Sequence, residues 1–98
     1  MTAIRLLREA EEELRLAAQF YEEAQPGLGQ ALIAEVRRAK DHIAGHPLAA
    51  PSERGEIRAC SIARFLHRIR YRVCTEEIVV IAIGHHRCRP GFRGTRTE

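Results

Sequence analysis

The sequence has no tryptophan, one methionine and three cysteines among its 98 residues. The cysteines, Cys60, Cys74 and Cys88, are odd in number and form no Cys-x-x-Cys pair, which argues against a disulfide framework and favours a reducing compartment, the cytoplasm. No apolar run approaches the roughly 20 residues of a transmembrane helix, and the acidic segment after Leu7 argues against a signal peptide. Repeats and low-complexity segments are also missing. We therefore expect one soluble domain over residues 1–98.

Lysine is almost absent, because arginine supplies fifteen of the sixteen basic residues. Residues 1–49 contain six basic and eight acidic side chains, whereas residues 50–98 contain ten and five, so the net charges of the halves are −2 and +5. The total of +3 is too small to indicate a nucleic-acid binder by itself. The segregation predicts that the second half forms the contact surface, where arginine suits bidentate contacts to phosphate or carboxylate.

The periodicity of the first half predicts a strand and two helices. A short apolar strand at Ala3–Leu7 is followed from Glu9 by apolar residues at helical spacing. The turn Gln25-Pro26-Gly27 ends this helix, because proline removes a backbone donor and glycine adopts left-handed angles. A second helix begins near Leu28 and ends at Gly45-His46-Pro47 for the same reasons. The short turn between them predicts an antiparallel helix hairpin.

The second half predicts three strands in a meander. Residues 48–55 have the composition of a loop, and the strands follow at Glu56–Ile62, Phe65–Cys74 and Ile78–Gly84. The last strand is apolar at both odd and even positions, which is typical of an interior strand covered on both faces. The order is β-α-α-β-β-β with a short basic tail. We therefore predict an α+β fold in which the hairpin packs on one face of a mainly antiparallel four-stranded sheet.

The middle strand of this meander alternates between two kinds of side chain. One side carries Phe65, His67, Ile69, Tyr71 and Val73, and the other carries Leu66, Arg68, Arg70 and Arg72. We call Arg68, Arg70 and Arg72 the arginine row. Since the apolar side must pack, we expect the arginine row to be left for solvent or for a partner.

The segment Gly84–Arg96 contains two histidines and a cysteine that suggest a metal site. In an extended chain His86 and Cys88 share a face while His85 points away, so two ligands stand where a structural zinc site needs four. We therefore expect no metal and no cofactor. A nuclease is a second interpretation, in which His85 titrates near neutrality and arginines bind the phosphate. The third is a solvated basic surface without further chemistry.

Three segments together resemble the RelE/ParE superfamily of toxins from bacterial type II toxin–antitoxin systems. The first is AAQFYEEAQPGLGQALIAEVRRAKDHIAGHP (Ala17–Pro47), which is similar to the family's two helices, Pro-Gly-Leu-Gly-like turn and His-Pro stop. The others are IRACSIARFLHRIRYRV (Ile57–Val73) and IVVIAIGHHRCRPGF (Ile78–Phe92), which resemble its Arg-containing and Phe-led strands, last strand and basic tail. The chain departs from the family at Leu66-His67, where Pro-Tyr is common, and at Phe92-Arg93, where Tyr-Trp is common.

The resemblance implies a ParE-like toxin of the plasmid-stabilisation type that inhibits DNA gyrase in the cytoplasm. It also implies a hetero-oligomer with a cognate ParD-like antitoxin, which binds through a C-terminal amphipathic segment and contacts operator DNA for the complex. We expect binding to the target or the antitoxin to involve Arg58, Arg68, Arg70, Arg72, Arg87, Arg89, Phe92, Arg93 and Arg96.

Two alternatives to a gyrase inhibitor follow from the same resemblance. The first is a RelE-like, ribosome-dependent mRNA endonuclease that uses His85 as acid or base and Arg58 and Arg89 on the phosphate. Members that cleave mRNA tend to place a tyrosine in this tail, and Phe92 has no hydroxyl to exchange a proton. The second alternative is a RelE-like domain that is no longer toxic and serves as a binding or regulatory partner.

Overall fold

The computed structural model describes residues 3–85, which form two helices and one five-stranded sheet. The elements are β1 (Ala3–Leu6), α1 (Arg8–Ala24), α2 (Leu28–Gly45), β2 (Ser52–Arg54), β3 (Ile57–Ser61), β4 (His67–Val73) and β5 (Glu77–His85). The strand order is β1-β5-β4-β3-β2, in which β1 runs parallel to β5 and the other neighbours are antiparallel. Neither helix is long and apolar enough to cross a membrane within this described range.

The helix hairpin is held at its turn by glycine and by one carboxylate. Gly27 precedes α2 with a φ of 90°, in the left-handed region that favours glycine. Glu22 of α1 accepts hydrogen bonds from the backbone N–H groups of Gly27 at 2.8 Å and Gly29 at 3.0 Å. These N–H groups belong to the start of α2 and have no partner inside the helix. The predicted ends of both helices at Pro26-Gly27 and His46-Pro47 are confirmed, but the second end has no left-handed glycine, because His46 caps α2 with a φ of −140° and Gly45 has no positive φ.

The core lies between the hairpin and one face of the sheet. Ala10 of α1 and Leu32, Val36 and Ile43 of α2 pack with strand residues that share that face, namely Ile69, Tyr71, Ile78, Val80 and Ile83. The helices therefore cover one side of the sheet, and we call this side the helix face and the opposite side the far face. The α+β class and the packing of the hairpin on one face are confirmed.

Strand β2 corrects the prediction of four strands and of a loop over residues 48–55. Ser52 and Arg54 pair with Arg58 and Ile57 of β3, with a register shift between the two pairs. The segment contains Pro51 and Gly55 beside three polar residues, so its composition does indicate a turn. An edge strand of three residues has too little pattern to be recognised in the sequence.

A bulge in β5 explains why this strand is apolar at both parities. Arg70 pairs with Ala82 but Tyr71 pairs with Val80, so Ile81 is an extra residue opposite that step of β4. Before the bulge, even-numbered residues such as Val80 point to the helix face. After the bulge, the odd-numbered Ile83 points to that face. The prediction of an interior strand is confirmed, since β5 lies between β1 and β4 and every residue of Ile78–Ile83 is buried.

Candidate functional site

The arginine row lies on the far face, as the alternation of β4 predicts. Ile69 and Tyr71 are completely buried in the core beneath the helices. Arg68, Arg70 and Arg72 therefore point away from the hairpin, because neighbouring residues of a strand face opposite sides. The order of the three along β4 places their side chains roughly 7 Å apart, two residues at about 3.3 Å each.

Arg70 is a buried member of the row, which corrects the expectation that all three guanidinium groups project freely. Its side chain is 5% exposed, and its Nε and Nη2 donate to the Glu53 carboxylate at 2.6 and 3.2 Å. Arg68 Nη1 donates to the same carboxylate at 3.2 Å. The Nη1 atom of Arg70 is buried and has no hydrogen-bond partner among the residues that the structure describes. Glu53 therefore fixes two of the three cations and ties β2 to the sheet.

The charge of Glu53 is stabilised by these contacts. The hydrogen bonds from Arg70, together with the charges of Arg70 and Arg68, hold the pKa of the Glu53 carboxyl below its ordinary value. Arg72 differs from its two neighbours, because its half-buried side chain makes no hydrogen bond or ion pair with any residue in the described range. Within the row, Arg72 is thus the cation that no carboxylate of residues 3–85 neutralises.

Arg58 lies on the helix face and is separate from the arginine row. It pairs with Tyr71 in the sheet, so its side chain takes the same side as that core residue. Its Nη1 donates to the carbonyl oxygens of Ala50 at 2.7 Å and Leu48 at 3.3 Å. Tyr71 Oη donates to the carbonyl of Pro47 at 2.7 Å. Both side chains therefore anchor the segment that joins α2 to β2.

The nuclease residues that lie in the described range are not brought together. His85 pairs with His67 at one end of the β4–β5 ladder, and their ring centroids are 5.7 Å apart. Arg58 is aligned with Tyr71, four residues from His67, which is about 13 Å along the strand. Its guanidinium is also engaged by loop carbonyls. The other candidate residues, Arg87, Arg89, Phe92, Arg93 and Arg96, lie outside the described residues.

A cavity of about 420 Å³ lies between the end of α2 and β3. Titratable side chains in its lining are His42, His46, Glu53, Cys60, Arg68 and Tyr71. Burial raises the pKa of the Cys60 thiol, so the group stays protonated and is a poor nucleophile. Between residues 3 and 85 no group of three or more His, Cys, Asp or Glu residues is arranged to hold a metal ion. His86 and Cys88 of the predicted tail lie outside that range.

Helix α1 exposes two large apolar side chains on the side away from the core. Phe20 is 67% exposed and Leu16, one turn earlier, is 51% exposed. The ring of Phe20 meets that of Tyr21 edge to face, with centroids 5.4 Å apart. Apolar groups at this spacing on one helix form a surface that can receive another apolar segment.

Glu53 is the residue of this site that sequence reasoning missed. Three arginines at alternate positions of one strand need a carboxylate if any of them is buried. The segment 48–55 contains one carboxylate, Glu53, which was a signal that could have indicated a contact. Its partner strand and register depend on the whole sheet, so the sequence alone does not assign it.

Comparisons with known proteins identify a family and a similar fold. Residues 4–90 match the family described as ParE toxin of type II toxin-antitoxin system, parDE. Among solved structures, a protein from the chromosomal ParDE TA system of P. aeruginosa has the same fold, with a TM-score of 0.77 and 18% identity. That match covers 87% of this chain and 96% of the other. No curated protein sequence matches the chain.

Proposed function

The chain belongs to the ParE toxin family of type II toxin–antitoxin systems, and from this we propose that it inhibits DNA gyrase and is neutralised by a cognate ParD-like antitoxin. The observation that carries the proposal is the family match over residues 4–90, joined to a basic far face on the predicted fold. The toxin and antitoxin form a cytoplasmic hetero-oligomer, and the antitoxin supplies the contacts with operator DNA.

The arginine row supports an acidic partner segment. Arg72 has no described carboxylate partner, and Arg68 has a 38% exposed side chain that shares Glu53 with Arg70. An incoming carboxylate pairs with Arg72 directly and competes with Glu53 for Arg68. Such complementary charge accelerates association and fixes the register of the partner. Arg70 acts on the partner only indirectly, by holding Glu53 in place, because its own guanidinium is buried.

The exposed apolar side chains of α1 support the amphipathic character of the antitoxin segment. Phe20 and Leu16 are exposed residues of α1, which packs on the helix face, whereas the arginine row lies on the far face. One antitoxin segment therefore wraps around the domain, with apolar anchors on α1 and acidic residues at the far face. Binding of this kind buries apolar groups for affinity and uses charged groups for specificity.

A binding toxin accounts for the described residues better than a nuclease does. Cleavage of RNA needs an acid, a base and a cation around one phosphate. Arg58 donates to two loop carbonyls, and His85 lies beside His67 at a distant point of the sheet. The sequence also has Phe92 where a tail hydroxyl would exchange a proton.

A supercoiling assay with purified DNA gyrase tests the target. We expect the chain to reduce supercoiling and the antitoxin to restore it. We expect Arg72→Ala to weaken either the inhibition of supercoiling by the toxin or its reversal by the antitoxin. Arg37→Ala is the matched control, because Arg37 is an exposed cation on α2 without a described partner. Unchanged supercoiling, together with growth arrest that the antitoxin reverses, would leave a toxin but reject gyrase as its target. Expression without growth arrest would reject the toxin itself.

A further inference from the structure

Two imidazole side chains lie next to each other at the C-terminal end of α2, where His42 belongs to the last turn and His46 is the residue that caps the helix. His42 and His46 are both exposed and are four residues apart, so they share one face of the helix. The backbone N–H of His46 donates to the His42 carbonyl at 2.8 Å, which keeps the helical spacing up to His46. Their ring centroids are 5.1 Å apart and the planes are inclined by 41°. We propose that His42 and His46 form a Zn²⁺ site completed by solvent.

The separation of the two rings fits one tetrahedral ion. A Zn–N bond of about 2.05 Å places the ring centre about 3.2 Å from the metal, along the axis of the nitrogen lone pair. Two rings that meet a tetrahedral ion at about 109° then have centres about 5.2 Å apart. The observed 5.1 Å corresponds to about 105° at the metal. Two rings at a right angle around the ion would have centres about 4.5 Å apart on the same bond length, so the observed spacing is closer to that of a tetrahedral ion such as Zn²⁺.

The surroundings of the two rings also suit a cation. Both histidines line the cavity of about 420 Å³ beside α2, which leaves room for the water ligands. They stand at the C-terminal end of an 18-residue helix, where the unpaired carbonyl groups carry partial negative charge. The described residues offer no third protein ligand, so this site binds more weakly than a structural zinc site with four protein ligands.

Zinc at this position stabilises the connection between α2 and the sheet. The ion would fix the turn that precedes Pro47, and the Pro47 carbonyl accepts the hydrogen bond from Tyr71. A ligand that binds the folded chain and not the unfolded chain raises the melting temperature with its concentration. The site is independent of the proposed action on gyrase.

Calorimetric titration of the untagged full-length chain with Zn²⁺ tests the site. We expect one bound ion, and we expect His42→Gln and His46→Gln each to weaken it at least about tenfold, since removal of a ligand costs no less than removal of its outer partners. Cys88→Ser and His85→Gln are matched controls, because those residues are among the other candidate ligands in the sequence. Both controls should retain the wild-type affinity.

Two results would overturn the site. One is wild-type affinity in both His42→Gln and His46→Gln, and the other is loss of binding in either control with both α2 variants unaffected. Circular dichroism checks the fold, which we expect to survive because both imidazoles are exposed. Amide shifts on adding Zn²⁺ should concentrate in the last turn of α2, and shifts confined to other segments would also reject the proposal.

Discussion

Alanine at position 29 would place a methyl group where α2 meets the backbone of α1. The Cβ of such an alanine would overlap the carbonyl oxygen of Ala18 and would lie 3.0 Å from both Cβ and Oε1 of Glu22. The Glu22 side chain can rotate, but Ala18 contributes backbone in the middle of α1. The two helices must therefore move apart, which also stretches the hydrogen bonds that the N–H groups at the start of α2 donate to Glu22.

The magnitude follows from two opposing effects of Gly29→Ala. Overpacking a well-packed contact costs about 1–3 kcal/mol, while alanine in place of glycine stabilises a helix by at most about 1 kcal/mol. Since the overlap involves backbone that cannot move alone, we expect a net loss of about 2 kcal/mol in the free energy of unfolding. For a domain of this size that loss lowers the melting temperature by roughly 10 °C.

Urea unfolding followed by circular dichroism measures the effect. Gly45→Ala is the matched control, because it makes the same change in the same helix and its Cβ would meet nothing within 4 Å. We expect Gly45→Ala to be neutral or to stabilise by up to about 1 kcal/mol. If Gly29→Ala unfolds at the same urea concentration as the wild type, Gly29 does not lie against the Ala18 carbonyl and the two helices are farther apart.

Three further changes test contacts that join the layers. Tyr71→Phe removes the hydrogen bond to the Pro47 carbonyl and should lower the free energy of unfolding by about 1 kcal/mol; an unchanged thermal melt would contradict it. Glu53→Gln should destabilise by about 2 kcal/mol at neutral pH, because the bonds it weakens are to the charged, buried Arg70. Because the folded pKa of Glu53 is lowered, its stabilisation is present above about pH 4.5 and is lost as pH falls through the folded value, so the gap between variant and wild type should close in acid. Glu13→Ala leaves the Ile83 N–H without its acceptor at 2.8 Å, and amide hydrogen exchange at Ile83 should accelerate; unchanged exchange would reject the contact.

The hairpin and the interior strand were predictable because their signals are local. Pro26 and Pro47 lack a backbone donor and Gly27 adopts left-handed angles, and these properties act wherever the segments lie in the fold. The alternation along β4 was equally informative, since it contrasts arginine with apolar residues. It places Arg72 on the far face without knowledge of any other strand.

The partners of these side chains were not predictable, because they depend on long-range register. In β3 the two faces do not differ clearly in polarity, because Arg58 shares its face with Cys60 while Ile57 and Ala59 lie on the other. The sequence therefore could not tell that Arg58 faces away from the arginine row. Glu53 reaches Arg70 only because a three-residue strand joins the sheet edge, and the bulge at Ile81 shifts the parity of β5.

The contacts of Glu22 also bear on the order in which the chain folds. Its bonds to Gly27 and Gly29 span five and seven residues, whereas the pairing of β1 with β5 brings together Arg5 and Glu77, 72 residues apart. Contacts of short sequence separation form fast and those of long separation form slowly. During synthesis we expect the hairpin to assemble as soon as residue 45 has emerged, while β1 waits for the last strand before it gains a neighbour.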